Sequence, residues 1–176
     1  MGKRIICFMT IFALCFSFAA CGNSRKRENL YEAVAEGEEM RDFTGSLVGG
    51  GELKLSDLKG KVILLNFWAT WCKPCVEEMP AFPKLMEKYG DDLALVTVNV
   101  GEDEETIREF LDKNSYSDLT VFLDEDYAIS DLYPSDGIPY TIIIDREGVI
   151  CHIQLGAVDA DSMLEKYSGM IDAVLN

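Results

Sequence analysis

The sequence predicts an α/β fold in which a mixed central sheet is flanked by helices, with an N-terminal β-hairpin extension. Two apolar runs of strand length, residues 61–69 and 92–100, show no polar alternation, as expected of strands buried on both faces. Helical patterns alternate with the predicted strands, which indicates parallel pairing through right-handed crossovers. Two late strands, residues 140–145 and 149–155, are joined by a tight turn at Arg146-Glu147-Gly148 and add an antiparallel edge.

The start of the folded region is predicted to be a hairpin. Residues 41–61 contain two short strands around Gly49-Gly50-Gly51, because glycines supply the backbone angles that tight turns require. A single helical turn is expected at residues 56–60, with Ser56 as its N-terminal cap and Gly60 at its end.

A helix is predicted directly after the first apolar run, from about residue 74 to residue 89. Pro80 lies inside it and should kink it, since proline removes an amide donor and clashes with the preceding turn.

The remaining elements follow the same apolar spacing. Residues 103–114 form an amphipathic helix with Asp103 as its cap, residues 119–124 a strand, residues 126–133 a short helix and residues 159–175 a closing helix. The residues expected to face the core from the first and last of these helices are Ile107, Phe110, Leu111, Met163, Leu164, Tyr167, Met170, Ile171 and Val174.

The first residues carry the pattern of a secretion signal. Lys3-Arg4 form a basic start, and residues 5–20 are apolar over the length of a signal-peptide core, shorter than the roughly 20 residues of a membrane span. The small residues before Cys21 resemble the lipobox of bacterial lipoproteins, although Phe18 departs from the usual Leu. This resemblance implies that residues 1–20 are a lipoprotein signal peptide and that Cys21 is lipidated. An uncleaved N-terminal anchor is the alternative.

Three segments are therefore expected along the chain. After residues 1–20, the polar and charged residues 21–39 are interpreted as a lipidated tether, and residues 40–176 as one domain. With either kind of N-terminus, we expect the domain to lie outside the cytoplasm and to be attached to a membrane.

The charge balance argues against a nucleic-acid partner. The chain has 16 Lys and Arg against 31 Asp and Glu, a formal net charge of −15. Signal-peptide cleavage would remove two basic residues and no acids, which changes the charge from −15 to −17. Phosphate backbones require basic surfaces, so we expect no nucleic acid to bind.

Two cysteines stand two residues apart in Trp71-Cys72-Lys73-Pro74-Cys75, directly after the first apolar run. They could form a redox couple, half of a zinc site or a structural disulfide. Zinc needs two further ligands, but Cys151 and His152 are adjacent on a predicted strand and point to opposite faces. A disulfide across two residues closes almost no loop and stabilises little. The pattern therefore favours redox chemistry.

The position of this pair at a strand-to-helix junction has a physical rationale. Cys72 lies at the helix N-terminus, where unpaired amides and the helix dipole favour a thiolate, which marks it as the nucleophile. Cys75 lies one turn further on, close enough to close a disulfide. Lys73 either adds a favourable positive charge or is simply solvated.

The segment VILLNFWATWCKPCVEEMP (residues 62–80) resembles the active-site region of thioredoxin-like proteins. Within them it is similar to the TlpA/ResA-like branch of membrane-tethered extracytoplasmic thiol–disulfide oxidoreductases, several of which serve cytochrome c maturation. The lead-in LSDLKGKVILLNFWATWC and the later GIPYTIIID also match. The resemblance covers residues 42–175 and implies a thioredoxin-like fold.

The resemblance also assigns roles to individual residues. Cys72 matches the attacking cysteine, Cys75 the resolving cysteine, and Trp71 the aromatic residue beside the site. Pro139 matches the cis-proline that faces the disulfide, where the backbone of Ile138 would pair with a substrate strand.

Glu78 matches the acid found three residues after the second cysteine in ResA-like proteins, where it lines the active-site region and affects cysteine acidity. The alternative for Glu78 is an exposed helix carboxylate. Thioredoxin has a buried Asp where this chain has Asn66, and an amide cannot take up a proton at neutral pH. The acceptor for the Cys75 proton must then be Glu78, water or the substrate.

Cys151 and His152 are left without a place in this scheme. We expect Cys151 to be a buried small apolar residue and His152 to lie on the more exposed face of its strand, and we assign His152 no role.

The resemblance implies an enzyme that reduces disulfides in partner proteins and is re-reduced by a membrane thiol electron donor. It needs no metal and no cofactor besides the Cys72–Cys75 disulfide. A disulfide-forming oxidase is the first alternative. A thiol peroxidase is less expected, because the segment NFWATWC lacks the Pro that precedes the attacking cysteine of peroxiredoxins. A docking or copper-assembly lipoprotein is a further alternative, although copper chaperones of this fold use CxxxC spacing.

Overall fold

A five-stranded mixed sheet forms the centre of residues 32–176, which are the residues that the computed structural model describes. The strands are Thr44–Ser46 (β1), Glu52–Lys54 (β2), Val62–Trp68 (β3), Leu93–Val100 (β4), Thr120–Asp124 (β5), Tyr140–Ile144 (β6) and Ile150–Leu155 (β7). The helices are Lys73–Glu78 (α1), Ala81–Tyr89 (α2), Glu104–Asn114 (α3) and Ala160–Leu175 (α4), and short 3-10 turns lie at Leu55–Leu58, Gly90–Asp92 and Ser130–Leu132.

The sheet has the order β5-β4-β3-β6-β7, with β3 in the middle. β3 pairs in parallel with β4, and β4 in parallel with β5. β6 runs antiparallel to β3, and β7 antiparallel to β6. Every residue of β3 is buried, as its unbroken apolar sequence predicted. The predicted fold class, a mixed sheet with flanking helices and an N-terminal hairpin, is confirmed.

Side chains alternate along β3 between two separate cores. Leu64 and Trp68 belong to one core, which also contains buried residues from α2, α3 and α4 and both active-site cysteines. Ile63 and Leu65 belong to the other core, together with Phe43 and other residues from the N-terminal segments and loops. The first core is the one that supports the site.

The predicted hairpin is present as β1 and β2, which pair antiparallel in a separate two-stranded sheet. Gly49, Gly50 and Gly51 all have φ near +90° to +100°, a region that suits glycine and explains the glycine run. The Val48 amide donates to the Val121 carbonyl at 2.9 Å, so the hairpin lies against the edge strand β5.

The prediction that Ser56 caps a helical turn is wrong. The 3-10 turn begins one residue earlier, at Leu55, which is fully buried, and Lys54 precedes it without a side-chain cap. The Ser56 amide instead donates to Asp42 Oδ1 at 2.9 Å. A carboxylate distant in sequence therefore supplies the acceptor that Ser56 was expected to provide.

The helix predicted at residues 126–133 is wrong for most of its length, since only Ser130–Leu132 forms a 3-10 turn. The Asp124 carboxylate accepts hydrogen bonds from the amides of Ile129 (2.7 Å) and Ser130 (2.9 Å). Tyr127 has φ +64°, a left-handed conformation that interrupts any helix.

The helix predicted over residues 74–89 is divided at Pro80 into α1 and α2. Met79 and Pro80 keep right-handed helical angles, but the proline nitrogen has no hydrogen to donate. Pro80 therefore divides the predicted helix into two, where a kink within one continuous helix was expected.

The other two helices agree with the prediction. Asp103 caps α3, since its carboxylate accepts from the Thr106 amide at 2.8 Å. Met163, Tyr167 and Ile171 are buried on the inner face of α4. The remaining predicted inward residues, which are partly buried or buried against the same core, are Ile107, Phe110, Leu111, Leu164, Met170 and Val174.

Part of the stretch interpreted as a tether packs on the domain. Val34 is buried in the second core, and the Gly37 amide donates to the Ile150 carbonyl at 2.8 Å. Glu39 forms a β-bridge with Val149. These contacts extend the folded unit to residues before position 40.

The expected signal peptide, residues 1–20, and the expected lipidation site, Cys21, lie outside the described residues. Within residues 32–176, no helix has the length and apolarity needed to cross a membrane.

Candidate active site

Cys72 and Cys75 are joined by a disulfide at the junction of β3 and α1. Cys72 is the N-cap of α1, and its sulfur accepts a hydrogen bond from the Cys75 amide at 3.3 Å. Cys72 keeps 4% of its surface exposed, whereas Cys75 is fully buried. The sulfur that a partner can reach is therefore that of Cys72, in agreement with its predicted role as the attacking residue.

The segment Ile138–Pro139 lies beside this disulfide. The peptide bond between them is cis, and Pro139 directly precedes β6, which pairs with β3. The Ile138 carbonyl oxygen lies 3.7 Å from Cys72 Sγ. The backbone of Ile138 thus borders the accessible sulfur.

Trp71 projects from the turn before Cys72 and is 72% exposed, although tryptophan is usually well buried. It differs from Trp68, three residues earlier, which is fully buried and donates from its indole nitrogen to Thr97 Oγ1 at 3.1 Å. The predicted position of Trp71 beside the site is therefore a surface position.

Glu102 holds the turn that carries Trp71 and Cys72, and sequence reasoning missed it. Its carboxylate accepts from the Thr70 amide at 2.7 Å, from the Thr70 hydroxyl and from Asn99 Nδ2 at 2.8 Å. A usable signal was present: Glu102 follows β4 and Thr70 follows β3, and the carboxyl ends of parallel strands meet at one edge of a sheet.

Glu78 is fully buried, so the alternative that it is an exposed helix carboxylate is wrong. It lies three residues after Cys75 in α1, and hence on the same side of the helix. Its Oε1 accepts from Asn66 Nδ2 at 2.9 Å, and its Oε2 accepts from the Tyr167 hydroxyl at 2.7 Å.

Thr141 closes these contacts into a ring of four buried polar side chains. Thr141 Oγ1 accepts from Asn66 Nδ2 at 2.9 Å and lies 2.8 Å from the Tyr167 hydroxyl. Tyr167 has a single hydroxyl proton, which it gives to Glu78, so Thr141 must donate to Tyr167. The ring of Asn66, Glu78, Thr141 and Tyr167 thus directs two hydrogen bonds onto one carboxylate.

Burial raises the pKa of Glu78 to about 7, while the hydrogen bonds from Tyr167 and Asn66 act in the opposite direction. Burial and the nearby Glu78 charge also raise the pKa of Tyr167, which keeps its hydroxyl protonated as a donor. A carboxyl group with a pKa near neutrality can both take up and release a proton under physiological conditions.

The Asn66 side chain has one unusual feature. Within residues 32–176 its Oδ1 is buried without a hydrogen-bond partner. A rotation of the amide by 180° would bring Oδ1 toward Thr141 and Glu78, where it could accept from a protonated Glu78. The ring can therefore suit both charge states of Glu78.

Cys151 and His152 lie away from the disulfide, on the edge strand β7, which is separated from β3 by β6. The expectation that Cys151 is buried is wrong, because its side chain is partly exposed. Burial and the nearby Asp145 raise the pKa of the Cys151 thiol. His152 is also partly exposed, with its Nδ1 3.9 Å from Glu36 Oε1.

The fold, the Cys72–Cys75 disulfide and the facing Ile138–Pro139 segment define a thioredoxin-like thiol–disulfide oxidoreductase. Comparison with known proteins identifies the family of the chain. Residues 37–153 match the AhpC/TSA family, and the chain belongs to that family.

Individual relatives agree with this class. The chain is 38% identical over 148 residues to the thioredoxin-like protein YneN of Bacillus subtilis, covering 78% of this chain and 86% of that protein. It is 33% identical over 141 residues to the thiol-disulfide oxidoreductase ResA of the same organism, covering 80% of this chain and 78% of ResA. The resemblance to ResA seen in the sequence is thereby confirmed.

A solved structure shows the same fold. A crystal structure from Chlorobium tepidum, assigned as a thiol:disulfide interchange protein DsbE, matches with a TM-score of 0.75 at 30% identity. The match covers 82% of this chain and all of that one.

Proposed function

We propose that this protein reduces disulfides in partner proteins outside the cytoplasm, while a lipid on Cys21 holds it to a membrane. The observation that carries the proposal is the Cys72–Cys75 disulfide. Its more accessible member, Cys72, borders the Ile138 carbonyl, and its fully buried member, Cys75, is followed by the buried acid Glu78. Maturation of cytochrome c is one process that such a reductase would serve.

The reaction begins with the reduced enzyme. The Cys72 thiolate attacks one sulfur of the substrate disulfide and forms a mixed disulfide, while the other substrate sulfur leaves as a thiolate. Cys75 then loses its proton to Glu78 and attacks Cys72 Sγ. This second step forms the Cys72–Cys75 disulfide and releases the second substrate sulfur as a thiolate, so two electrons pass from the enzyme to the substrate.

Charges around the site support the reducing direction. A strongly oxidising enzyme of this kind is one whose reduced, thiolate-bearing form is stabilised. Here a buried carboxylate follows Cys75, and Lys73 points to solvent and pairs with Glu77 at 3.4 Å. This arrangement stabilises a thiolate less than a buried cation would, so we expect the disulfide form to be favoured and the dithiol to be a good reductant.

The proposed location rests on the first 21 residues. The basic Lys3-Arg4, the apolar residues 5–20 and the following Cys21 form the pattern of a lipoprotein signal. A protein anchored in this way outside the cytoplasm needs a source of electrons there, and a membrane thiol donor would regenerate the dithiol. No other cofactor is required, because both electrons are carried by the two sulfur atoms.

The direction of electron flow is tested by the reduction potential of the Cys72–Cys75 pair. We expect a value close to that of thioredoxin, about −270 mV. A value close to about −120 mV, that of a strong oxidase, would replace the reductase by a disulfide-forming enzyme. Turnover that depends on peroxide would instead support a thiol peroxidase.

Substrates are identified by trapping. In the full chain carrying Cys75→Ser, the mixed disulfide on Cys72 cannot be resolved, so partner proteins stay attached and can be identified by mass spectrometry. The matched control carries both Cys72→Ser and Cys75→Ser and should trap nothing. Lipidation is tested separately by incorporation of a labelled fatty acid, which should disappear in Cys21→Ala.

A further inference from the structure

A pocket of about 400 Å³ opens beside the active-site disulfide. Two buried aromatic rings, those of Phe67 and Tyr133, line it, with ring centroids 5.6 Å apart. Two exposed aromatic side chains, Trp71 and Tyr127, also line it. Ile138 completes the side that faces the cysteines.

The aromatic residues at the surface of this pocket are exceptional for the molecule. Four large apolar side chains are strongly exposed within residues 32–176: Trp71, Tyr127, Leu155 and Val158. The two largest, Trp71 at 72% and Tyr127 at 52%, line the same pocket. Exposed apolar residues that cluster in this way mark a surface that binds another molecule.

The backbone of Tyr127 adopts an unfavourable left-handed conformation. Its φ of +64° is uncommon for a bulky residue, and such strain persists only where the surrounding structure fixes it. The buried Asp124 carboxylate binds the amides of Ile129 and Ser130, and the Tyr127 carbonyl accepts from the Asp131 amide at 2.8 Å. The loop is thus tied down on both sides of Tyr127.

The Tyr127 ring lies against Gly101. A Cβ atom added at Gly101 would clash with the Tyr127 hydroxyl and lie 2.7 Å from its Cζ. Gly101 also has φ +76°, and its amide donates to the Asp124 carbonyl at 3.0 Å. Only glycine allows the phenol to lie this close to the backbone that follows β4.

We propose that this pocket binds a bulky apolar side chain of the substrate polypeptide, preferably an aromatic one, next to the cysteine that Cys72 attacks. The inference deepens the proposed function and rests on it. Two residues that line the pocket adjoin the reacting sulfur: Trp71 directly precedes Cys72, and the Ile138 carbonyl lies 3.7 Å from Cys72 Sγ.

The lining selects the kind of side chain. Aromatic and aliphatic carbons predominate, and aromatic rings bind one another by offset or edge-to-face contacts. Asp131 is the charged residue in the lining, and the chain as a whole carries −15, so an acidic side chain is disfavoured. A lysine could approach Asp131 but would leave most of the apolar lining without a matching partner.

The test uses symmetrical disulfide-linked dimers of a short peptide, since both sulfurs are then equivalent. The residue next to cysteine is Phe, Gly, Lys or Asp. The reduced full chain is mixed with each dimer, and released peptide thiol is measured in a single turnover. Rates are divided by those with dithiothreitol to remove intrinsic differences in reactivity. We expect the Phe dimer to react about five- to tenfold faster than the Gly dimer, and the Asp dimer to be slowest.

Tyr127→Gly is the decisive variant, because glycine accepts the positive φ and removes the ring without adding strain. We expect its Phe-to-Gly rate ratio to fall close to one, while Tyr127→Phe keeps the ratio. Val158→Ala, which removes an exposed apolar side chain outside this pocket, should also keep it. Thermal unfolding checks that each variant is folded.

The outcomes separate the pocket from the reductase activity. An unchanged Phe-to-Gly ratio in folded Tyr127→Gly, or a native preference for the Lys dimer, overturns the aromatic subsite even if all dimers are reduced. Failure of the native protein to reduce any dimer, together with an oxidising potential, would instead overturn the proposed reductase function itself.

Discussion

The Tyr167 hydroxyl donates a hydrogen bond of 2.7 Å to Glu78 Oε2, although the two residues are 89 positions apart in the chain. Tyr167 comes from the closing helix α4 and Glu78 from the active-site helix α1. This bond joins the acid beside the disulfide to the far end of the sequence. It is also where the buried carboxylate can be tested without touching the cysteines.

Replacing Glu78 by Gln should change how stability depends on pH. The folded pKa of Glu78, about 7, exceeds its ordinary value of 4.5, so between these pH values the folded protein holds a proton that the unfolded chain has released. The stability that this proton gives is complete below about pH 4.5 and is lost as the pH rises to 7. Glu78→Gln should not lose this stability as the pH rises, because its amide does not titrate.

We therefore expect the free energy of unfolding of Glu78→Gln, relative to the native chain, to rise by about 3 kcal/mol between pH 4 and pH 8. Denaturant unfolding of the oxidised proteins across this range measures the difference, and the other acids cancel. A difference that stays constant with pH would mean that the pKa of buried Glu78 is not raised.

Tyr167→Phe should strengthen the pH dependence of stability that Glu78→Gln removes. Loss of the hydroxyl leaves ionised Glu78 with one donor fewer, so its pKa should rise further, and the variant should lose about 1–3 kcal/mol of stability at pH 8. The loss should be smaller at pH 5, where Glu78 is protonated in the folded state. Isotope-edited NMR of the Glu78 carboxyl measures the pKa directly.

Tyr89→Phe is the matched control for Tyr167→Phe. The Tyr89 hydroxyl also bonds a carboxylate, that of Asp172 at 2.8 Å, but this pair is at the surface. The hydrogen bond from Tyr89 lowers the pKa of Asp172, so Asp172 stays ionised throughout pH 5–8. The effect of Tyr89→Phe on stability should therefore not vary with pH in that range. A similar pH dependence in Tyr89→Phe and Tyr167→Phe would argue against a special role of Tyr167.

The cysteine pair and the sheet could be predicted because their signals are local. The apolar run that became β3 and the Cys72–Cys75 spacing each occupy a few consecutive residues. A strand that ends where a helix begins is enough to place Cys72 at a helix N-terminus. The fold class followed from the order of such segments.

The ring around Glu78 could not be predicted, because it depends on strand register and helix packing. Asn66 and Thr141 are directly opposite each other in the β3–β6 register, which no local pattern specifies. The apolar spacing of α4 predicted that the Tyr167 ring faces the core, but it does not indicate where the hydroxyl group bonds. A tyrosine on a buried face needs a polar partner, and that was the available signal.

The loop around Tyr127 was mispredicted for a different reason. Its residues have helical spacing, and a non-glycine residue in the left-handed region leaves no mark in the sequence. The tertiary contacts of Asp124 and Gly101 override the local preference. This is also the segment that lines the pocket beside the disulfide.

Glu78 should matter more for the second chemical step than for the first. In Glu78→Gln the amide cannot take the proton of Cys75, so resolution of the mixed disulfide should slow by about 100-fold or more at pH 7. The attack of Cys72 on the substrate should change far less. Single-turnover quenching with a disulfide-linked peptide dimer should show a mixed disulfide that accumulates in the variant and is transient in the native chain.

Glu77→Gln controls for the loss of one negative charge in the same helix, since Glu77 is exposed and pairs with Lys73. It should resolve the mixed disulfide at nearly the native rate. If Glu78→Gln does so as well, the proton goes to water or to the departing substrate thiolate.

Glu102 should be needed to hold Cys72 in place, although it does not touch the disulfide. Glu102→Ala leaves the Thr70 amide and hydroxyl and the Asn99 side chain without their acceptor. We expect a loss of about 2–3 kcal/mol in stability and an attack by Cys72 on a small aromatic disulfide slowed by about tenfold. Glu102→Gln should lose much less stability, because its amide oxygen can still accept from Thr70 and Asn99.

Glu105→Ala is the control, because Glu105 is an exposed acid in the first turn of α3. It should change stability by only a few tenths of a kcal/mol. Equal effects of Glu102→Ala and Glu105→Ala would show that the turn before Cys72 keeps its geometry without Glu102.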